Sequence, residues 1–215
     1  MNTKTKRLTL IAMFAAMAFV VVAFLRFPVV LFLSYEPKDV IITLSGLTMN
    51  PVVPVIVSAI VSLLEMVTIS GTGPIGCLMN FLSSCAFACT ASIIYHKKKS
   101  IYGAAFGLLC GCFAMVVVML LWNYAITPLY METPREVVAS MLVPVFLPFN
   151  LIKGGLNAAI TFLLYKPVVT ALRKTTLLPQ SKIVRKRRFD PFLIGCAALI
   201  ITTCVLLILA MRGII

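Results

Sequence analysis

Long apolar stretches, separated by short polar or basic turns, run along the whole chain. A helix needs about 20 apolar residues to cross the roughly 30 Å hydrocarbon core of a bilayer. Measured against that length, the pattern predicts helices over residues 8–25, 39–49, 52–67, 75–95, 101–125, 143–169 and 191–211, the second of them short. Proline and glycine mark the breaks: a loop over 26–38 with Pro28 and Pro37, a turn at Asn50-Pro51, and another at Ser70-Gly71-Thr72-Gly73-Pro74. The expected fold is all-α, a polytopic membrane helical bundle. Its six-helix substrate-binding core is expected in residues 1–175, a basic cytoplasmic linker in 176–190, and an extra transmembrane helix in 191–215.

Composition strengthens this picture. The chain of 215 residues is 61% hydrophobic and 12% charged, with a mean hydropathy of +1.09. Soluble domains carry about a quarter charged residues. The net charge of +13 raises the question of nucleic acid. The basic residues, however, sit in clusters beside apolar runs: Lys4, Lys6 and Arg7, then residues 96–99, then 173–188. Such clusters set membrane orientation, because basic loops stay cytoplasmic, so no nucleic-acid partner is expected. A cytoplasmic N-terminus puts all three clusters inside. The outer loops then hold Arg26, Lys38 and Arg135, balanced by Glu36, Asp39, Glu132 and Glu136. The first run is long enough to span and is followed by no small-x-small cleavage site, so it reads as a retained helix.

Candidate chemistry is sparse. The seven cysteines lie in apolar stretches without zinc or redox spacing and read as small hydrophobes. His96, opening a lysine run, reads as a solvated residue at a helix end. Gly71-Thr72-Gly73-Pro74-Ile75-Gly76 matches G-x-G-x-x-G in letters, but no strand precedes it, so it does not read as a dinucleotide loop. No phosphate-binding loop, H-E-x-x-H, G-x-S-x-G or metal cluster occurs. Neither enzymatic activity nor a cofactor or metal is expected.

Polar residues inside the apolar runs are costly and require a partner or a function. Asn150, Lys153 and Asn157 recur at three and four, on one helical face. Asn123, beside Trp122 and Tyr124, Asn80, Glu65, and Lys38 with Asp39 fall at the same outer depth on other helices. The inner halves hold no comparable set. Several polar groups converging among apolar and aromatic walls form an orienting small-molecule pocket. The alternative is internal glue, with Glu65 or Asp39 pairing Lys153 and amides linking helices. Amides, one ammonium, and stacking surface from Tyr35, Trp122, Tyr124 and Phe149 suit a planar heterocycle, a description many vitamins meet.

The run Phe32-Leu33-Ser34-Tyr35-Glu36-Pro37-Lys38-Asp39-Val40 resembles the substrate-capturing loop of riboflavin-specific S components of energy-coupling factor (ECF) vitamin transporters. The stretch from Glu65 to Gly73, Met79-Asn80-Phe81, and Asn150-Leu151-Ile152-Lys153 are similar to the same group. The likeness covers roughly residues 8 to 175. It implies a six-helix membrane subunit that captures riboflavin from outside and works with a transmembrane coupling subunit and two ATPase subunits. It further implies that Asn123, Asn150 and Lys153 hold the flavin ring, with Tyr35, Glu36, Lys38, Asp39 and Asn80 completing the site. Many members carry a D-F-S-D-type loop where this chain has Tyr35-Glu36-Pro37-Lys38-Asp39, and the seventh helix lies outside their pattern. Ala12 and Ala16, four apart on the first helix, allow close approach of another helix. In the family an A-x-x-x-A face there meets the coupling subunit. The alternatives are an S component for another vitamin or precursor, an intramembrane enzyme, or a membrane scaffold.

Overall fold

The computed structural model describes residues 3–31, 33–174 and 191–211. In chain order its elements are α1 (Thr3–Phe24), β1 (Phe27–Val30), β2 (Leu33–Tyr35), α2 (Lys38–Thr48), α3 (Val53–Thr68), α4 (Gly73–Lys98) and α5 (Ile101–Ala125). There follow α6 (Thr127–Met131), α7 (Arg135–Met141), a π-helical turn (Leu142–Phe146), α8 (Leu147–Lys174) and α9 (Pro191–Met211). The linker over 176–190, including Arg185, Lys186, Arg187 and Arg188, lies outside the described residues.

Five helical stretches are long and apolar enough to cross a membrane: Lys4–Phe24, Gly73–Lys98, Ile101–Ala125, Arg135–Leu172 and Ile194–Met211. The protein is a multi-pass membrane protein. Two of the seven expected helices fall short of that length. With 11 residues, α2 rises only about 16 Å at 1.5 Å per residue, half the apolar thickness. Yet it buries every residue except Ile41 and Thr48. It is an interior half-helix, entered from the loop that precedes it. There the expected loop is partly a β-hairpin, with Phe27 opposite Tyr35, Pro28 opposite Ser34 and Val30 opposite Leu33. Val29, Leu33 and Tyr35 point inward, and Leu31 turns the chain at φ 51°. Alternation over so few residues is too short to stand out in a sequence.

The expected helix over 143–169 begins earlier, at Arg135, as α7. Pro144 and Pro148 remove backbone donors, which ordinarily ends a helix. Here the π turn widens the backbone around Pro144 and the helical path continues.

Between α4 and α5 the helices touch backbone to backbone. A Cβ at Gly107 would lie 2.7 Å from the Ala91 carbonyl oxygen, and one at Gly111 2.6 Å from that of Phe87. Together with Gly103 these form a small-residue face at every fourth position, the spacing that lets membrane helices approach closely.

The bundle has two distinct ends. Basic residues open α1 and close α4 and α8, all at one end, here termed the basic end. The hairpin, the close of α3 and the start of α4 lie at the other. His96, at the basic end, is not simply solvated: its Nε2 lies 2.8 Å from the Gly46 carbonyl oxygen of α2. A half-helix buried on all sides leaves terminal carbonyls without water, and the histidine serves one of them. All seven cysteines are free thiols.

Candidate functional site at the hairpin end

The half-length of α2 creates the site. Because α2 starts at mid-depth, Lys38 and Asp39 in its first turn are both 0% exposed, inside an apolar bundle. Charges there persist only when paired and hydrogen-bonded. The surrounding helices supply the partners through side chains at four- or three-residue spacing.

Lys38 is the hub of one half. Its Nζ donates to Glu65 Oε1 and Oε2 of α3 at 2.6 and 2.5 Å and lies 2.7 Å from Glu36 Oε2. Asn80 Nδ2 on α4 donates to Glu65 Oε2 at 2.9 Å, and Arg26 Nε reaches Glu36 Oε1 at 3.1 Å. Asp39 is the hub of the other. It accepts from Ser84 Oγ at 2.5 Å and from Asn157 Nδ2 at 3.2 Å, and pairs with Lys153 Nζ at 3.5 Å. The Tyr35 hydroxyl donates to Asn157 Oδ1 at 3.1 Å, tying β2 to α8. Three carboxylates (Glu36, Asp39, Glu65) thus face three cations (Arg26, Lys38, Lys153), so the cluster is formally neutral.

In the loop, burial acts to raise the Glu36 carboxyl, but Lys38, Lys153 and Arg26 outweigh it. The group is held below the ordinary carboxylate range. Burial, followed by the Asp39 charge, pushes the Tyr35 phenol above its ordinary value.

Six of the residues expected at the site meet in this cluster: Tyr35, Glu36, Lys38, Asp39, Asn80 and Lys153. Asn123 and Asn150 are buried at the same end but are engaged locally. Asn123 Nδ2 donates to Met119 O, and its Oδ1 accepts from Thr127 Oγ1. Asn150 Nδ2 donates to Phe146 O, at the close of the π turn. The glue alternative is partly realised, with Asp39 rather than Glu65 reaching Lys153, while Glu65 takes Lys38.

Of the expected stacking residues, Trp122 lines a small cleft of about 10 Å³ with Ile75, Met79, Thr127 and Tyr130. Phe149 is buried in an apolar cluster beside Val29, Leu33 and Tyr35. Tyr124 faces outward, half exposed, with the Arg135 guanidinium over its ring.

Sequence reasoning missed Ser84 and the role of Arg26. Ser84 follows Asn80 by four, so helical spacing alone was the available signal. Ser83, one residue earlier, is also buried, and its Oγ has no hydrogen-bond partner among the described residues. No group of three or more metal-binding side chains occurs among the described residues.

Residues 6–165 match the family described as ECF transporter, substrate-specific component. The chain is 31% identical over 180 residues to the riboflavin transporter RibU of Staphylococcus aureus (strain TCH60), covering 80% of this chain and 94% of the relative. It is 30% identical over 164 residues to the riboflavin transporter FmnP of Bacillus subtilis (strain 168), covering 70% and 85% respectively. The fold is similar to a solved structure described as "Structure and mechanism of the S component of a bacterial ECF transporter". The TM-score is 0.66 at 32% identity, over 79% of this chain and 99% of the other.

Proposed function

The chain belongs to the substrate-specific components of ECF transporters, and from that premise we propose that it captures riboflavin at the hairpin end and passes it on with energy supplied by partner subunits. The family is one of transport subunits, not enzymes, and riboflavin is cargo rather than cofactor.

The observation that carries the reading is the state of Lys153. The residue is 7% exposed, and among the described residues Asp39, at 3.5 Å, is its one ion-pair partner. A buried ammonium has three donors to satisfy. An incoming flavin carbonyl would supply a second acceptor, with Asn150 one turn away on the same face of α8. The cleft beside Trp122 encloses only about 10 Å³, far below the range of about 300–1,000 Å³ usual for small-ligand sites. Ligand uptake therefore requires the hairpin-side groups to part, and side-chain ion pairs can do that without breaking backbone contacts.

By the positive-inside tendency the basic end faces the cytoplasm, and the N-terminus with it. The hairpin end then faces outward. Ala12 and Ala16 are exposed on α1 whereas Ala15 and Ala18 are buried against the bundle, leaving the first pair for the coupling subunit, which carries the two ATPases.

Purified protein should quench riboflavin fluorescence saturably. Absence of saturation with riboflavin, alongside saturation by another vitamin, would reassign the substrate. Ala12→Trp and Ala16→Trp should keep that binding while losing energised uptake and co-purification of the coupling subunit. Wild-type uptake in both variants would remove this face from the docking surface. An impermeant thiol reagent should reach Glu132→Cys in intact cells and Lys99→Cys only after permeabilisation, and the reverse pattern would invert the orientation.

A further inference from the structure

The last helix lies beyond residues 6–165 that match the family, yet it is packed against the hairpin beside the site. One stripe of α9 is turned inward: Ala197, Ile201, Cys204, Ile208 and Met211. The spacing of four, three, four, three is that of a coiled-coil seam, which keeps one face on a partner helix. The opposite face, including Leu199, Val205 and Leu206, is exposed. The partner is α8. Gly155 there is the point of closest approach, where a Cβ would lie 3.3 Å from Cys204 Sγ and 3.6 Å from Ile200 Cγ2.

The direction of the seam matters. It begins at Ala197 in the cluster shared with α4, α5 and α8 and climbs antiparallel to α8. Its upper part enters a different cluster, where Cys204 is buried with Val29, Leu33 and Tyr35 of the hairpin and Phe149 and Ile152 of α8, and Ile208 and Met211 pack against the same group. The upper part of α9 therefore shares one apolar cluster with the inward side chains of the hairpin. On its polar side, the hairpin and the loop after it are held by Tyr35 on Asn157 and by Glu36 on Arg26 and Lys38.

We propose that α9 is a positioning element for the gate, and that Ile208 and Met211, seated through Gly155 and Cys204, hold the hairpin closed over the site. Opening the hairpin separates Val29 and Leu33 from this cluster. With α9 in place, that motion loses packing contacts on the apolar side in addition to the polar ties. The mechanical claim needs no ligand. Its consequence, slower escape of riboflavin, rests on the function proposed above.

The test uses the full chain in lipid nanodiscs and compares wild type with two variants. Gly155→Leu wedges α9 away from α8, and Ile208→Ala with Met211→Ala trims the seam while leaving α8 untouched. Hydrogen exchange read by mass spectrometry should show the amides of 27–35 exchanging about five- to tenfold faster in both variants, with α4 and α5 unchanged. Riboflavin release should quicken by a similar factor, with association altered less than twofold. Hairpin exchange within twofold of wild type in the trimmed variant would overturn the proposal. So would equal acceleration in α4 and α5, which marks general loosening. If wild type binds no riboflavin, the substrate reading fails and hairpin exchange still decides the role of α9.

Discussion

The two ends of this bundle are held together by different kinds of contact. Through the middle and toward the basic end, helices meet at their backbones. Gly107 and Gly111 admit α4 against α5, where a Cβ would lie 2.7 Å from the Ala91 carbonyl oxygen and 2.6 Å from that of Phe87. At the hairpin end the elements are joined by side chains instead, in a neutral cluster of three carboxylates and three cations. A backbone contact has no substitute, since any displacement opens a gap. An ion pair or amide contact can be replaced by a ligand group offering the same donors and acceptors. One half of the molecule is therefore built to stay as it is, and the other to exchange partners. A subunit that captures and then surrenders a small molecule needs both.

The sharpest way to break the comparison is to unbalance the exchangeable half. Asp39→Ala leaves Lys153 without its ion-pair partner and removes the acceptor for Ser84 and Asn157. Breaking a buried pair by removing one member typically costs about 3–5 kcal/mol. Thermal unfolding in detergent should show the largest loss for this variant, with partial recovery when Lys153→Met is added. A wild-type melting profile for Asp39→Ala would mean that the cluster contributes little to holding the helices.

Next is the rigid half. Gly111→Ala puts a methyl 2.6 Å from the Phe87 carbonyl oxygen, and overpacking of this kind costs about 1–3 kcal/mol. Melting should fall accordingly, while riboflavin affinity of the folded fraction, read by fluorescence quenching, stays within about twofold. Lys153→Ala and Asn150→Ala should weaken binding as well as melting, since each also breaks a tie within the protein, Lys153 to Asp39 and Asn150 to the Phe146 carbonyl oxygen. A removed hydrogen bond to a buried group costs about 1–3 kcal/mol, here read as weaker riboflavin binding by the folded fraction. Equal effects of all three on binding would erase the distinction between the halves.

Much of this contrast was legible in the residues. Asn150, Lys153 and Asn157 declare a shared face by spacing, and polar residues at matched depth on several helices declare convergence. The boundaries of the fifth helix were readable because an apolar run of 25 residues ends at sharp polar and proline breaks. What was not legible depended on tertiary geometry. Which acid takes which lysine follows from the stunted α2, whose N-terminus lies at mid-depth, and length alone does not reveal where a short helix sits. The hairpin was hidden because its strands have four and three residues. The local ties of Asn123 and Asn150 arise where helices end or widen near prolines. The glycine face of α5 was readable in principle at Gly103, Gly107 and Gly111, since its spacing is the same small-residue signal found at Ala12 and Ala16.

The smallest effect should come from the rim, where the exchangeable cluster meets water at Arg26. Its side chain is 32% exposed, and pairs of that kind contribute about 0–1 kcal/mol. Its pH dependence nevertheless has a definite sign. The folded Glu36 carboxyl lies below its ordinary value, so the unfolded or opened form binds the proton more readily. The stabilisation is therefore fully present above the ordinary carboxylate range and is lost as pH falls from that range through the lower folded value. Tyr35 works from the other side: its phenol is raised, so its tie to Asn157 holds below the ordinary phenol value near 10 and weakens above it. Hydrogen exchange over 27–35, corrected for the intrinsic pH dependence of amide exchange, should stay flat from neutral pH down to about pH 5. Below that it should accelerate, and it should accelerate again above about pH 10. Glu36→Gln should flatten the acid limb and Tyr35→Phe the alkaline limb, each leaving the other intact. An acid limb that persists in Glu36→Gln would show that the ties of Glu36 to Arg26 and Lys38 do not set the hairpin's acid sensitivity.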